Sequence, residues 1–293
     1  MKTSELIKRY RITDGSKFHL KQSDPGDTHG WKSELKKEAS VHLEKSIKRL
    51  AELQDKLYAQ DQHALLLIFQ AMDAAGKDGT IKHVMSGINP QGCQVYSFKS
   101  PSTEELDHDY LWRSLKALPQ RGHIGIFNRS YYEEVLVVRV HPEVLAKQKV
   151  PKALLGKKLW DQRFEDINAI ETYLTRNGTT VLKFFLHVSK KEQKRRFLER
   201  LNDPAKNWKF STADAEERKH FDEYMDAYED AIRRTASQRA PWYVVPADNK
   251  WFTRLVVSAV ITRALEDMNL AYPTVDDKKR GELKTVKRAL ENE

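Results

Sequence analysis

The sequence predicts an α/β protein in which a parallel β-sheet carries helices on both faces. Two observations support this class. Short apolar runs bounded by glycine or polar residues recur along the chain, and charged segments with helically spaced apolar residues fill the intervals between them. Continuous apolar runs are typical of strands buried on both faces, and their alternation with helices is typical of parallel sheets.

Five strands and the helices between them can be placed along the chain. The predicted strands cover residues 64–70 (ALLLIFQ), 93–99, 123–128, 180–188 and 241–247. Helices are expected over about 31–60, from 80 onwards, and over about 106–118, 158–176, 189–201, 212–237 and 250–269. Residues 1–32 are predicted to form an extended arm with turns, and 276–293 a charged tail. No linker is evident, so residues 1–293 are expected to form one domain, with 1–60 as its N-terminal arm and helix.

The overall composition limits the class of partner. The formal net charge of +9 indicates that the binding partner is a polyanion, such as nucleic acid, an anionic membrane or phosphorylated small molecules. The single cysteine, Cys93, excludes an internal disulfide and suggests a reducing compartment. The first residues lack the apolar core of a signal peptide, and the apolar runs are too short to cross a membrane. We therefore expect a cytoplasmic protein without a membrane partner.

Residues 70–79, QAMDAAGKDG, resemble a phosphate-binding loop of the form G-x-x-x-x-G-K-[ST]. Ala71 replaces the first glycine and Asp78 replaces the Ser or Thr, whereas Gly76-Lys77 is intact. A predicted strand precedes the loop and a predicted helix follows it, so backbone N–H groups and the helix dipole would favour phosphate there. Lys77 is expected to neutralise phosphate and Asp73 to hold Mg²⁺. The predicted phosphate-binding residues of this segment are Ala75, Gly76, Asp78, Gly79 and Thr80. The alternative is a chance Gly-Lys pair at a turn.

Two further segments carry candidate phosphate ligands. The third predicted strand ends in Asn128 and Arg129, at the sheet edge where ligands of open α/β sheets bind. Residues 189–211 form a basic segment with a capping pattern at its start, in which Arg196 and Arg200 share one helical face. This segment resembles the mobile lid of nucleotide kinases, and Lys209 lies in the loop that follows. The alternative interpretation of Arg129 is an ordinary surface arginine. The alternative interpretation of residues 189–211 is a charged helix exposed to solvent.

Four segments taken together are similar to the polyphosphate kinase 2 family: AMDAAGKDGTIKHVMSGINPQG, GIFNRSYYEEVLVVRVHP, VSKKEQKRRFLERLNDPAKNWKFS and APWYVVPADNKWFTR. The similarity covers roughly residues 35–270. It implies a three-layer, thymidylate-kinase-like P-loop kinase fold, with a five-stranded parallel sheet and a helical lid. It also implies phosphoryl transfer between inorganic polyphosphate and AMP, ADP or ATP, with Mg²⁺. On this resemblance Asp73, Lys77 and Arg129 are catalytic, and Arg196 and Arg200 belong to the lid.

One departure from the family pattern concerns the end of the third strand. Many relatives have Asp where this chain has Asn128, and the Asn form resembles the class III subgroup that phosphorylates both AMP and ADP. Glu133 is the candidate that would replace the missing carboxylate at the metal.

The charge pattern agrees with this resemblance. Polyphosphate is a flexible polyanion that needs a basic groove, and Lys82, one turn into the helix, is expected to guide it. A homo-oligomer is expected, and nucleic acid is not expected as a partner. Two alternatives remain open at this point. One is an ATP-dependent nucleoside monophosphate kinase, and the other is a P-loop protein that binds nucleic acid without kinase activity.

Overall fold

The computed structural model describes residues 3–31, 36–209 and 211–293. Within these residues, six strands form one sheet: β1 (Arg11–Ile12), β2 (Ala64–Gln70), β3 (Cys93–Ser97), β4 (Ile124–Asn128), β5 (Thr179–His187) and β6 (Trp242–Pro246). Their order across the sheet is β1-β6-β5-β2-β4-β3. The five predicted strands are present and mutually parallel, which confirms the α/β class. The sixth, β1, was not predicted and pairs antiparallel with β6 at one edge.

The helices fall into two groups, one on each side of the sheet. In chain order they are α1 (Thr3–Tyr10), α2 (Lys36–Gln60), α3 (Lys77–Val84), α4 (Thr103–Leu106), α5 (Trp112–Leu115), α6 (Val137–Val140), α7 (Pro142–Lys147), α8 (Leu159–Arg176), α9 (Lys190–Asn202), α10 (Thr212–Glu217), α11 (Phe221–Thr235), α12 (Lys250–Asp267) and α13 (Asp277–Glu291). Helix α12 packs against α2, α3 and α1, whereas α8 packs against α11 and β5. Two helical layers therefore enclose the sheet, as the three-layer prediction requires.

Three predicted segments differ from the structure. The N-terminal arm is not extended, because Leu6, Ile7 and Tyr10 bury one face of helix α1. The predicted helix over 106–118 is two short helices, α4 and α5, and the one over 212–237 is divided by a 3₁₀ turn at Arg218–His220. Residues 32–35, which fall within the helix predicted over about 31–60, lie outside the described residues. None of the described helices is both long and apolar enough to cross a bilayer.

Strand β2 lies at the centre of the sheet and brings three chain segments to one edge. Phe69 is paired with Asn128 of β4, and Gln70 with Phe185 of β5. Because these strands are parallel, the segments that follow their carboxyl ends meet at the same edge of the sheet. The loop after β2, the turn after β4 and helix α9 after β5 are therefore neighbours. Helix α9 begins where the capping pattern predicts, since the Ser189 side chain accepts a hydrogen bond from the Glu192 N–H at 3.0 Å.

A buried ion pair fixes the turn after β4 to the core. Lys183 of β5 has no exposed surface, and its ammonium donates to the Glu171 carboxylate at 2.5 Å and to the Thr235 carbonyl at 2.8 Å. Tyr131 and Tyr132 both donate their hydroxyl groups to the same Glu171 carboxylate. Burial lowers the pKa of Lys183, and the Glu171 charge opposes that shift. The tyrosines of the segment NRSYYEE are thus structural anchors for the residues just before them.

This network predicts a specific pattern of stability. Lys183→Met should lower the free energy of unfolding by about 3 to 5 kcal/mol, because Glu171 is left buried without its counter-charge. The double variant Lys183→Met with Glu171→Gln should recover most of that loss, since the amide still accepts from both tyrosines. Urea unfolding followed by circular dichroism measures both values. A loss below about 1 kcal/mol in the single variant, or no recovery in the double variant, would contradict this account.

Candidate active site

The loop after β2 leads into helix α3. The first N–H groups of this helix have no hydrogen-bond acceptor within the helix. Ala74 and Gly76 both have left-handed backbone conformations, with φ of 61° and 105°. The first helical hydrogen bond runs from the Thr80 N–H to the Gly76 carbonyl at 2.9 Å. The N–H groups of Lys77, Asp78 and Gly79 therefore precede the helical ladder and have no helical acceptor. Such N–H groups, together with the helix dipole, form an anion-binding position.

Two residues that were predicted to bind phosphate, Ala75 and Thr80, use their backbone N–H groups in hydrogen bonds within the protein. The Ala75 N–H donates to the Met72 carbonyl at 3.2 Å, and the Ala75 carbonyl accepts a hydrogen bond from Arg196. The Thr80 N–H is used within the helix, although its side chain lines the cleft. Neither N–H group is therefore open to phosphate, because the tight loop turn and the first helical turn already use them.

Lys77 is buried and folded back over its own loop. Its ammonium donates to the Ala71 carbonyl at 2.7 Å and lies 3.5 Å from the Met72 carbonyl. Burial lowers the pKa of Lys77, and the carboxylate of Asp73 partly offsets this effect. A phosphate at the loop would supply the negative charge that this desolvated ammonium lacks.

Two polar contacts join the loop and helix α3 to the end of β4. Arg129 donates to the Asp73 carboxylate at 3.0 Å, and the Asn128 amide donates to the Asp78 carboxylate at 2.7 Å. Arg129 has a left-handed backbone with φ of 65°, and its N–H donates to the Phe69 carbonyl at 3.0 Å. An arginine in this region is strained, and such conformations concentrate at functional sites. The structure thus brings together the predicted residues of two separate motifs.

Arg196 has a different position from the one predicted for a lid arginine. It is buried, and it uses all five of its N–H donors on protein acceptors of the described residues. One donor goes to Glu192 at 2.8 Å. Two go to the loop carbonyls of Ala74 and Ala75 at 3.0 and 2.7 Å, and two go to the carbonyls of Ala247 and Asp248 at 2.5 and 3.1 Å. With no donor remaining, Arg196 shapes the loop and does not contact phosphate directly.

Gln193, which the sequence analysis did not select, supports the same loop. It is one turn before Arg196 on the buried face of helix α9, and its amide donates to the Asp73 carbonyl at 3.1 Å. Arg218 in turn donates to the Gln193 side chain at 2.8 Å. Helix α9 is therefore attached to the loop at three successive residues, 73, 74 and 75.

A cleft of about 500 Å³ opens above the loop. Among the described residues, eight basic side chains line it against three acidic ones, Asp73, Asp78 and Glu199. The basic residues are Lys77, Lys99, Arg129, Arg196, Arg200, Lys206, Lys250 and Arg254. This excess of positive charge, concentrated over open N–H groups, suits a ligand with several phosphate groups.

Lys250 and Arg254 of this cleft were missed in the sequence analysis. Lys250 is the first residue of helix α12, where burial lowers its pKa, and Arg254 lies one turn further along. The Arg254 Nε is buried and has no hydrogen-bond partner among the described residues. A signal was present, because both residues follow the carboxyl end of strand β6 at the ligand edge of the sheet.

Other predicted residues are not brought to the cleft. Lys82 is exposed and does not line it. Glu133 also lies outside its lining, and its carboxylate accepts from the Gln70 amide at 2.7 Å. Arg200 does line the cleft, about one quarter exposed and 4.0 Å from Asp214. The side chain of Lys209 lies outside the part of the chain that the structure describes.

The carboxylates in the cleft would fit a magnesium ion whose other ligands are substrate phosphates and water. No group of three or more His, Cys, Asp or Glu residues within the described ranges is arranged to hold a metal ion. Mg²⁺ is usually bound by one or two carboxylates together with substrate phosphates and water. Asp73 and Asp78 are two such carboxylates on the cleft wall.

This combination of loop, buried lysine and basic cleft, on a mostly parallel α/β sheet, is consistent with a P-loop kinase-like fold. Comparison with known proteins gives a narrower answer. Residues 33–273 match the family described as Polyphosphate kinase 2 (PPK2), and the chain belongs to that family. The resemblance seen in the four sequence segments is thereby confirmed.

Individual relatives support this assignment along nearly the whole chain. The chain is 51% identical over 288 residues to an ADP-polyphosphate phosphotransferase of Rhodopseudomonas palustris, covering 97% of this chain and 98% of the relative. It is 45% identical over 267 residues to an AMP/ADP-polyphosphate phosphotransferase of Meiothermus ruber, covering 91% and 96%. The crystal structure of polyphosphate kinase 2 from Arthrobacter aurescens TC1 superposes with a TM-score of 0.87 at 41% identity, covering 97% and 96%.

The contacts of Arg196 lead to a prediction about phosphate binding. Arg196→Lys should weaken the binding of inorganic tripolyphosphate by about tenfold, or ~1.4 kcal/mol, because one ammonium cannot hold four carbonyl groups in place. The matched control is Arg195→Lys, whose side chain is exposed and pairs with Glu192 and Glu199. Calorimetric titration of the two folded variants measures the difference. Equal affinities would show that the loop does not need this arginine.

Proposed function

We propose that this chain is a polyphosphate-dependent nucleotide kinase, which transfers a phosphoryl group reversibly between inorganic polyphosphate and AMP or ADP. The observation that carries the proposal is the cleft, where open helix N–H groups lie among eight basic and three acidic side chains. A flexible polyanion needs such a groove. The names of the two relatives specify polyphosphate with ADP, and polyphosphate with AMP or ADP.

The proposed step is an in-line phosphoryl transfer. A phosphate oxygen of the nucleotide attacks the terminal phosphorus of polyphosphate, and the bond from that phosphorus to the bridging oxygen breaks. The chain leaves one unit shorter and retains the electron pair of the broken bond. The attacking oxygen is already ionised at neutral pH, so the site needs no strong general base. Catalysis by this site is then mainly positioning and stabilisation of charge.

Each part of the site has a role in this step. The N–H groups at the start of α3 and the Lys77 ammonium hold phosphate oxygens at the transfer point. Arg129, kept in place by Asp73, neutralises charge on the equatorial oxygens. Arg200 and Lys206 line the outer cleft, where they would contact the rest of the polyanion. Arg196 and Gln193 maintain the loop geometry.

Mg²⁺ is part of the proposal. When bound, it would neutralise charge on the phosphate oxygens, and Asp73 and Asp78 are the residues that would hold it. Asp78 replaces Glu133 in this role, because Glu133 does not line the cleft. Asp78 occupies the position at which ordinary P-loops present a Ser or Thr hydroxyl to Mg²⁺.

A donor assay tests the proposed function directly. The protein is incubated with AMP or ADP, Mg²⁺ and either polyphosphate or ATP, and nucleotide products are separated by chromatography. We expect polyphosphate to support formation of ADP and ATP, and we expect Lys77→Met to lower kcat on the order of 10²-fold or more while the fold is retained. Transfer from ATP to AMP without any transfer from polyphosphate would show that the chain is an ATP-dependent nucleoside monophosphate kinase.

The contact between Asn128 and Asp78 predicts an effect on acceptor choice. Asn128→Asp places two carboxylates in contact, and two unit charges ~4 Å apart interact by about 4 kcal/mol at an effective dielectric constant of about 20. This charge lies where the acceptor phosphate arrives, and ADP carries one phosphate group more than AMP. We expect the ratio of kcat/KM for AMP and ADP to change by more than about tenfold.

The exchanged pair is the control for this prediction. Asn128→Asp combined with Asp78→Asn restores one amide and one carboxylate at the same contact with their order reversed. We expect the AMP-to-ADP ratio to return to within about threefold of the original. If Asn128→Asp changes both efficiencies by the same factor, this contact does not determine acceptor choice.

A further inference from the structure

Helix α10, which follows the basic segment 189–211, is held in place by polar side chains. It has no buried residue, and among the described elements its main packing contact is with the 3₁₀ turn Arg218–His220 directly after it. Apolar packing therefore fixes this helix only weakly. Two of its acidic residues contact other elements: Asp214 lies 4.0 Å from Arg200, and Glu217, the last residue of the helix, lies against the segment that follows β4.

The contact of Glu217 is with a histidine. Its two carboxylate oxygens lie 3.0 and 3.1 Å from Nε2 of His141, the residue between α6 and α7, and the Tyr224 hydroxyl donates to the same carboxylate at 2.8 Å. The segment that carries His141 is itself fixed, because Arg139 of α6 pairs with Asp230 of α11 at 2.5 Å. His141 therefore joins a weakly packed helix to a fixed part of the fold.

The position of α10 matters for the cleft because of Asp214. Among the described residues, Asp214 is the acidic group paired with Arg200, which lines the cleft. Burial raises the pKa of Asp214, and the nearby charge of Asp73 adds to this effect, so α10 lies close to the phosphate loop. The turn after α10 is also attached to α9, since Arg218 donates to the Gln193 side chain at 2.8 Å. The contact with His141 holds the helix on the opposite side.

The geometry of His141 is satisfied only by its protonated form. Its Nδ1 lies 3.0 Å from the Glu143 carboxylate, and its Nε2 faces the Glu217 carboxylate. A neutral imidazole has one N–H group, so its other nitrogen would present a lone pair to a carboxylate, whereas an imidazolium donates to both. The His141 side chain is only 17% exposed, so solvent screens these charges incompletely.

Titratable groups face His141 from each element around it: Glu143 of α7, Glu217 of α10, His220 of the 3₁₀ turn and Tyr224 of α11. The His220 ring centroid lies 5.1 Å from that of His141, and His220 has its own carboxylate partner, Glu223, at 3.1 Å. Burial raises the pKa of Tyr224, so its hydroxyl remains a donor at neutral pH. Histidine changes charge between about pH 5 and 8. Loss of the His141 proton is therefore the change that would weaken the contact with Glu217.

We propose that His141 is a positioning residue, whose protonated form holds α10 through Glu217 and thereby keeps Arg200 in place for phosphate. The inference rests on the proposed function, because it assumes that phosphate binds in the cleft. The contact is complete while His141 is an imidazolium, and it weakens as the pH rises and the proton is lost. Phosphate affinity then falls through this contact, in addition to any effect of titration of the phosphate itself.

Calorimetric titration with tripolyphosphate tests the proposal without turnover. The dissociation constants of the unmodified protein and of His141→Gln are compared at the same pH, so that titration of the ligand cancels in their ratio. At pH ~5.5 the variant should bind about fivefold more weakly, because glutamine supplies no charge for the two carboxylates. At pH ~8.5 the difference should fall below about twofold, since His141 is then neutral as well. Glu217→Gln should give the same pattern.

A double variant tests the path to the cleft. In the Arg200→Ala protein, His141→Gln should change the affinity by less than about twofold at pH ~5.5, because its effect is transmitted by Arg200. His19→Gln is the matched control, since His19 also faces a glutamate, Glu229 at 3.3 Å, but does not line the cleft. It should bind within about twofold of the unmodified protein at both pH values.

Three results would overturn the proposal. They are an unchanged affinity of His141→Gln at pH ~5.5, an equal loss at both pH values, and a full effect that persists in the Arg200→Ala protein. An equal loss would show that His141 has a structural role that does not depend on its charge. Failure of the proposed function is seen separately, as absence of phosphoryl transfer from polyphosphate in the unmodified protein.

Discussion

The site depends first on one buried guanidinium. Arg196 binds four backbone carbonyls, two in the loop after β2 and two at residues 247 and 248 after β6. A fixed planar fork of donors can hold several acceptors in one arrangement, which a single ammonium cannot. By holding the carbonyls of Ala74 and Ala75, Arg196 limits the conformations available to the peptide groups that lead into helix α3. The loop, helix α9 and the segment between β6 and α12 are thereby joined in one unit.

Much of the fold could be predicted because burial leaves a clear pattern in the sequence. Four of the five parallel strands are largely apolar runs, and the long helices have helical spacing of apolar residues. The missed elements lack such patterns. Strand β1 has only two residues, Arg11 and Ile12, and is defined by its pairing with β6. Helix α1 has eight residues, and its buried face is defined by packing against elements far away in the sequence.

The sequence predicted most of the residues that form the site, but it predicted few of the hydrogen bonds between them. Gly76-Lys77, Asp73 and Arg129 were selected from motifs, and the structure places them together. The role of Arg196 could not be inferred, because its partners are backbone carbonyls, which have no sequence signature. Asp78 was recognised as a departure from the usual P-loop pattern, and Asn128 as a departure from the pattern of the family. Only the pairing of β2 with β4 shows that these two departures are hydrogen-bonded to each other.

The distribution of charge gives the molecule two chemically different pockets at one sheet edge. The net charge of +9 is not spread evenly, since eight basic side chains converge on the cleft, whereas a second cavity of about 360 Å³, formed by residues that follow β3 and β4, has more acidic than basic residues.

We propose that the loop held by Arg196 binds substrate phosphate through its open N–H groups. ¹⁵N NMR can follow the backbone amide resonances of Lys77, Asp78 and Gly79 during titration with tripolyphosphate and, separately, with AMP. We predict large shifts of these three resonances with at least one of the two ligands, and much smaller shifts in the Arg196→Lys variant at the same ligand concentration. Saturation of the protein by both ligands without movement of these resonances would contradict the account.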